Sequence, residues 1–540
     1  IIDASNNTTT TVPPGLGTGK EIFAFMPQEL LANQNTYYQN TLGQHPYGVD
    51  GAISFWVNDV ANDNTITIGT DHVYAYFGLR RGGKSYYALD VTGCGANPCT
   101  VDPTIKWKIT NNNGNGVLYS ATSGVGTISD QFKELSQSWS KMEPIKIKIN
   151  SVIKNVLIFG GGYDPSNDTS ATRATDSTGR AIYIIDAETG ERLWEAGSSA
   201  LSADSGLSLD LADMKYSIPA DVQVIDVIGD GLANQFYVGD MGGQIWRFDV
   251  NNEASSWSGA ITGGVIADLA ESGVGTEANN RRFFYPVDVA LTSIDKKDVL
   301  TLAIGSGWRS HPLDSIVNDN LYVLKTTDVY SPPKNSGGVI EYVKKVVADL
   351  HDVTEPGDVP DGIKDDGASA AEYAAELLLK EKMDFTGWYI QMETAGEKII
   401  SSSTTFNDHI LFSSYIPTAA GNVCQAAQGS GRLYIVDLLT GKAKLDLNNN
   451  DEYEAKIDRY VQLSHGGIPP SPSILIPPGD SPPIVLVGTE NPLKRKHLEG
   501  DTPGGGGLSP AKGVSSTYWR EAGEYWETTG DTDGNNLKDQ

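Results

Sequence analysis

The chain has 540 residues, and 40 Lys and Arg against 68 Asp and Glu give a formal net charge of −28 at pH 7. A surface this negative repels phosphate backbones and anionic lipid, which excludes nucleic-acid binding and electrostatic membrane docking as first readings and leaves divalent cations as natural partners. Only 20% of residues are charged, beside 59 Gly and 26 Pro, a turn-rich β composition, and no apolar run reaches the roughly 18 residues of a spanning helix.

Ile1-Ile2-Asp3 reads as the second strand of a unit whose first is missing, and GTGKEIFAFMPQELL (17–31) as its continuation. One pattern then recurs: an apolar alternating strand ending in Gly, a turn, and a strand of the form aromatic-x-apolar-Asp. It appears in HVYAYFGLRRGGKSYYALDVTG (72–93), then in VLIFGGGYD (156–164) with AIYIIDAETGERLW (181–194). QFYVGDMGGQIWRFDV (235–250) is the most compact copy. Weaker copies are LTLAIGSGWRSHPL with NLYVLK (301–325) and ILFSSYIP with RLYIVDLLTGKA (410–443). Period-two alternation marks half-buried strands, and Asp-Met-Gly-Gly and Glu-Thr-Gly supply tight turns. Units of about 40–60 residues that cannot bury their own faces predict a radial repeat, an all-β propeller whose blades pack on one another.

Cys94 and Cys99 close a tight loop suited to a local disulfide, and Cys424 is left free or paired outside the chain. The Gly/Ser-rich stretch 255–280 and the acidic stretch 331–383 break the pattern and read as insertions. The second contains a helix over 369–382 with a Ser369/Glu372 capping box. IVLVGTE (484–490) looks like the first strand of a unit without its second. Pairing it with the N-terminal strand would close a propeller over residues 1–490, with 491–540 as an acidic peripheral tail.

SIPADVQVIDVIGDGLANQFYVGDMGGQIWRFDV (217–250) resembles the signature segment in the C-terminal propeller of the PilY/PilC family of type IV pilus tip adhesins. The similarity continues in order through RRFFYPVDVAL (281–291), AIGSGWRSHPL (303–313), GWYIQMETAGEKIISSS (387–403), RLYIVDLLTG (432–441) and HGGIPPSPSIL (465–475). The resemblance implies a modified, seven-bladed propeller with quinoprotein-like repeats. It also implies a secreted or surface protein that passes through the periplasm, meets minor pilins at the pilus tip, and supports pilus assembly, adhesion and twitching motility. Any host or surface receptor would be met through the family's N-terminal half, which this sequence lacks.

The family carries a calcium loop at the acidic turn before the Tyr-Val-Gly-Asp strand. Here Asp226, Asp230 and Asn234 fit loop positions 1, 5 and 9, the Leu232 carbonyl position 7, and Gly231 the sharp turn at position 6. Ile228 at position 3 and Tyr237 at position 12 replace the usual oxygens, so water would have to fill in; alternatively Asp and Asn merely bind their own turn amides. A second candidate, Asp531, Asp533, Asn535, Leu537 and Asp539, has the fuller ligand set but sits in the tail, where a solvated acidic run is the alternative.

Enzyme chemistry is not expected. Quinoprotein dehydrogenases share the blade pattern but use an adjacent Cys-Cys pair, absent here, and there is neither a G-x-S-x-G elbow nor an H-E-x-x-H helix. His311 reads as a packing histidine, Asp240 and Arg247 as a cross-strand structural pair, and Trp194, Trp246, Trp257 and Trp388 as blade packing. A periplasmic assembly scaffold built from similar repeats is the alternative function.

Overall fold

The computed structural model describes residues 22–493 apart from 42, 44–45, 95–98, 113, 121–126, 199–206, 271–275, 361–368, 419–428, 448–453 and 478–482. Six sheets follow one another along the chain. Sheet I has six strands: Ile53–Asn58, His72–Gly78, Tyr86–Asp90, Thr104–Asn112, Asn115–Ser120 and Thr127–Ser129. Sheet II takes Glu143–Ile149, Val152–Gly160, Ala181–Asp186 and Arg192–Gly197, sheet III Gln223–Ile225, Gln235–Gly239, Gln244–Val250 and Ile261–Asp268. Sheet IV takes Asp288–Ile294, Lys297–Gly305, Asn320–Thr326 and Gly387–Gln391, sheet V Thr404–Phe406, His409–Ile416, Ser430–Asp437 and Tyr460–Gln462, and sheet VI the pair Pro472–Leu475 and Ile484–Val487. Short outer strands run parallel to their neighbours: Ser208–Asp210 in sheet II, Lys345–Val346 in sheet III and His351–Asp352 in sheet IV.

The two faces of each strand serve different gaps. Leu157 and Phe159 join Tyr76, Trp107 and Tyr183 in the cluster between sheets I and II, while Val156 and Ile158 join Phe236, Val238 and Phe248 in the cluster between II and III. Tyr237 and Ile245 then face Leu302 and Tyr322 of sheet IV, and separate clusters fill the gaps IV–V and V–VI. Alternation along a strand buried on both faces explains why so many strand positions are apolar or aromatic.

Glycine sets how closely the sheets approach. The second strand of sheets I to IV ends in Gly78, Gly160, Gly239 and Gly305, and at each a Cβ would strike the segment leading into the next sheet. It would lie 2.4 Å from the Ser138 carbonyl, 2.4 Å from that of Ile218, 2.6 Å from Phe283 Cβ and 2.2 Å from Ile399 Cγ2. Each lead-in segment is hydrogen-bonded to the preceding sheet's loop: the Arg80 N–H donates to Ser138 O (3.0 Å), Gly162 to Ile218 O (3.0 Å), Phe283 to Asp240 O (3.1 Å) and Ile399 to Ser306 O (2.9 Å). The terminal Gly of the repeat is thus a requirement of packing.

The third-strand Asp closes the following turn. Asp186 Oδ1 accepts the amides of Glu188 and Thr189, and Asp437 Oδ1 those of Leu439 and Thr440. These turns receive an indole from the preceding sheet: Trp107 Nε1 donates to Ala187 O (3.1 Å) and Trp388 Nε1 to Leu438 O (3.3 Å).

Several expectations are corrected. Six sheets lie within the described residues, and no ladder among them joins the last sheet to the first; residues 1–21, with the expected closing strand, lie outside them. The repeat is longer than read, with Gly78, Gly160, Gly239 and Gly305 roughly 65–80 residues apart, because the first and fourth strands of each sheet carry little pattern. Ile484–Val487 is a second strand, since Pro472–Leu475 precedes and pairs with it. The stretch 255–280 is not simply an insertion: Ile261–Asp268 is the fourth strand of sheet III, pairing with Gln244–Val250 despite Gly263 and Gly264. The 331–383 insertion leaves sheet IV, lays Lys345–Val346 on sheet III and returns His351–Asp352 to sheet IV, so it straps the two together. Its helix runs Ala370–Phe385 with the expected Ser369/Glu372 capping box. Cys94 and Cys99 form the expected disulfide, while Cys424 lies outside the described residues, as does all of the tail beyond 493.

If close approach at these glycines is required, Gly160→Ala forces the Ile218 backbone away. The expected cost is about 1–3 kcal/mol, read as a lower melting temperature. Gly357→Ala, where nothing lies within 4 Å, should leave the melt unchanged; equal melts for both variants would contradict the packing argument.

Candidate functional site

The acidic turn joins the first two strands of sheet III, Gln223–Ile225 and Gln235–Gly239. Gly229 (φ +75°) and Gly231 (φ +79°) occupy left-handed backbone there, a conformation that costs other residues free energy. Asp226 organises the turn: Oδ1 accepts the amides of Gly229 (2.7 Å) and Asp230 (3.2 Å), and Oδ2 that of Gly231 (2.7 Å). Asp230 Oδ1 accepts the Leu232 amide (3.0 Å) and Asn234 Oδ1 that of Ile228 (3.2 Å). Leu232 and Ala233 are buried, and the Ala233 N–H donates to Lys146 O of sheet II (2.8 Å), which anchors the turn to its neighbour.

The structure therefore brings Asp226, Asp230 and Asn234 together on one turn and engages each with turn amides. A carboxylate offers about four acceptor positions and an amide oxygen two, so Asp226 keeps one, Asp230 three and Asn234 one, beside the Leu232 carbonyl. Position 3 is closed to coordination, since Ile228 carries no oxygen and is 61% exposed. Position 12 is closed too: Tyr237 is buried and its hydroxyl donates to Gln235 Oε1 (2.8 Å). The donor set fits a weak, water-completed cation site and falls short of a full calcium shell. Among the described residues no group of three or more His, Cys, Asp or Glu forms a metal cluster. Asp531, Asp533, Asn535, Leu537 and Asp539 lie outside the described residues.

At the opposite end of the same strands, the loops after each second strand gather with the lead-in segments. Asp240 is fully buried there and accepts from the amides of Gly242 and Gln244 and from Trp246 Nε1, all at 2.9 Å. Burial pushes its carboxyl up to about 7 against the pull of those donors. The expected Asp240–Arg247 pair does not form. Arg247 instead grips Asp249 two residues along the same strand face (2.9 and 2.7 Å), because Asp240 is turned into its own hairpin.

Beside Asp240 lies an aromatic and arginine cluster that the sequence reading missed. Trp139, Tyr163 and Phe284 pack ring on ring, with centroids 4.8–5.9 Å apart. Arg81 holds Asp168 through both carboxylate oxygens (2.7 and 2.8 Å), and the Tyr163 hydroxyl donates to the same carboxylate. This pairing pulls the Asp168 carboxyl below its usual range even though burial pushes it up. Arg282 is buried with its guanidinium 3.9 Å from the Trp308 ring centroid and donates to the carbonyls of Ser170 and Ala171. His311 packs against Trp308, ring centroids 4.1 Å apart. The signal available in sequence was the doublets Arg80-Arg81 and Arg281-Arg282 flanking the repeat in so acidic a chain.

No protein-family model matches the chain. It is 23% identical over 445 residues, 79% of its length, to the type IV pilus biogenesis factor PilY1 homolog of Xylella fastidiosa. Its identity to the type IV pilus biogenesis factor PilY1 of Pseudomonas aeruginosa is 28% over 239 residues, 43% of its length. The crystal structure of the P. aeruginosa PilY1 C-terminal domain shares its fold with a TM-score of 0.53 at 17% identity, covering 91% of this chain and 90% of that domain. The chain is a PilY1 homologue. The match takes in 25% and 15% of those two PilY1 relatives' lengths. The likeness read from 217–250 onward is thereby borne out.

Proposed function

We propose that this PilY1 homologue is a binding and scaffolding module of type IV pilus biogenesis, acting at the pilus tip by contact with minor pilins and not by catalysis. The observation that carries this reading is the correspondence of fold with the PilY1 C-terminal domain over nine-tenths of both chains. On this reading the sheets belong to a seven-bladed propeller, and the protein passes through the periplasm to the cell surface, where it supports adhesion and twitching motility. A host or surface receptor would be met by a region corresponding to the part of the PilY1 relatives that the match does not cover.

In this proposal the contact is made at sheet VI. That sheet has two strands among the described residues, and an edge strand with free amides accepts an added strand through main-chain hydrogen bonds. Leu475 at the end of its first strand and Ile476 just after it are 53% and 57% exposed, which suits an apolar partner strand. Consecutive amides of a strand point to opposite edges, so of Val485→Pro and Leu486→Pro one removes an edge donor and the other a ladder bond. Minor pilins should be captured from sheared fibres by the wild type and lost by a proline variant whose melt is unchanged. Full capture by both variants would refute strand addition, and absence of the protein from sheared fibres with retention in the periplasm would favour an assembly scaffold there.

The finer part of the proposal is calcium modulation through the Asp226 turn, with the Leu232 carbonyl, Asp230, Asn234 and water completing the shell. Millimolar calcium is expected to raise the melting temperature, and Asp230→Asn, which leaves the three Asp226 bonds in place, to abolish the rise. No calorimetric heat and no thermal shift in the wild type would remove calcium from the account.

A further inference from the structure

Between sheets III and IV, under the strap segment 333–345, lies a cavity of about 240 Å³. That is room for about eight waters at ~30 Å³ each, the size of a small metabolite. The buried Leu302 and Leu324, with Phe385 at the end of the helix, give it an apolar wall. Arg247, Asp328 and Lys345 line it with charge of both signs, and Lys334 and Glu341 of the strap add one more of each.

These charges are not spent on one another. The Lys345 ammonium crosses from sheet III and donates to the carbonyls of Lys325 (2.6 Å) and Thr386 (3.4 Å). An ammonium has three N–H donors, so one remains, and among the described residues no carboxylate comes within ion-pair distance of it. Arg247 is 2% exposed and commits Nε and Nη2 to Asp249, with Nη2 also on the Ser331 carbonyl (3.0 Å). Its Nη1 has no hydrogen-bond partner among the described residues, and neither has the Asp328 carboxylate. The roof over these groups is fixed in place, since the Tyr342 hydroxyl of the strap donates to Asp249 (2.8 Å). Walls held by hydrogen bonds around unspent donors and acceptors make a preformed ligand site, because polar groups left unmet in a buried place cost free energy.

We propose that this cavity binds a free apolar α-amino acid. Its carboxylate would take the spare N–H groups of Lys345 and Arg247, and its ammonium would face Asp328. Its side chain would lie on Leu302, Leu324 and Phe385. A simple carboxylate would leave Asp328 unanswered and a simple amine would leave Lys345 so, whereas a zwitterion meets both. Bound there, the amino acid would tie the strap and sheet III to sheet IV. The site needs no pilus partner and stands apart from the contact at sheet VI.

Isothermal titration of the full chain with leucine at neutral pH tests this. Saturable binding is expected, about tenfold tighter than that of leucinamide, which lacks the carboxylate, and of isocaproate, which lacks the ammonium. Lys345→Met and Asp328→Asn should each weaken leucine about tenfold. Asp328→Asn, which removes no hydrogen bond, should melt as wild type, and Lys148→Gln in the first strand of sheet II should bind as wild type. Leucine should also slow amide exchange in peptides covering 333–346. No saturable heat, equal affinity for leucine and either analogue, or insensitivity to both cavity variants would overturn the proposal. Saturable binding that leaves the strap's exchange unchanged would put leucine elsewhere and overturn it as well.

Discussion

Everything in this molecule hangs on the segment that leads into each sheet. It lies between two sheets, giving backbone hydrogen bonds to the loop of the sheet before and to its own. Ser217 and Ile218 show the arrangement: the Gly162 N–H of sheet II donates to Ile218 O, and the Met241 N–H of sheet III donates to Ser217 O. Such a segment satisfies its polar backbone in a buried place where water cannot. It leaves no room for a side chain on the strand end it crosses, which is why Gly78, Gly160, Gly239 and Gly305 stand there. Close approach then lets one face of Val152–Gly160 fill the gap toward sheet I and the other the gap toward sheet III.

The same stitching places the functional surfaces. Because each second strand runs from a first hairpin to a loop beside the next lead-in, the two ends of the sheets acquire different chemistry. One end of sheet III presents Asp226 and Asp230 in a turn closed by its own amides. The other gathers Trp139, Tyr163 and Phe284 with the Arg81–Asp168 pair from loops of several sheets.

What was legible in the sequence was the part of each unit with strong local chemistry. Second strands ending in Gly, third strands ending in Asp and the Glu-Thr-Gly turn all stand where the alternation put them. The Ser369 capping box also stands where read, though its helix runs on to Phe385. First strands such as Gln223–Ile225 and Thr404–Phe406 are too short to show a period, so the repeat was read too short and the number of sheets differently. Ile261–Asp268 was hidden because Gly263 and Gly264 look like a linker, yet Phe248 packs over Gly263 and Tyr342 over Gly264. The acidic turn was placed correctly, while the partner of Arg247 was not, since neighbours on one strand face cannot be told from cross-strand pairs by spacing alone. Trp139, Tyr163 and Phe284 could not be joined from sequence, because only the stitching of consecutive sheets brings them together.

Native-state hydrogen exchange read by mass spectrometry bears most directly on the lead-in segments. Peptides covering 134–141, 214–220, 281–287 and 396–403 should exchange as slowly as the second and third strands of the sheets they join, opening only when those sheets separate. Exchange of these segments at the rate of exposed loops, with the strands still protected, would show that they rest on the sheets without holding them together.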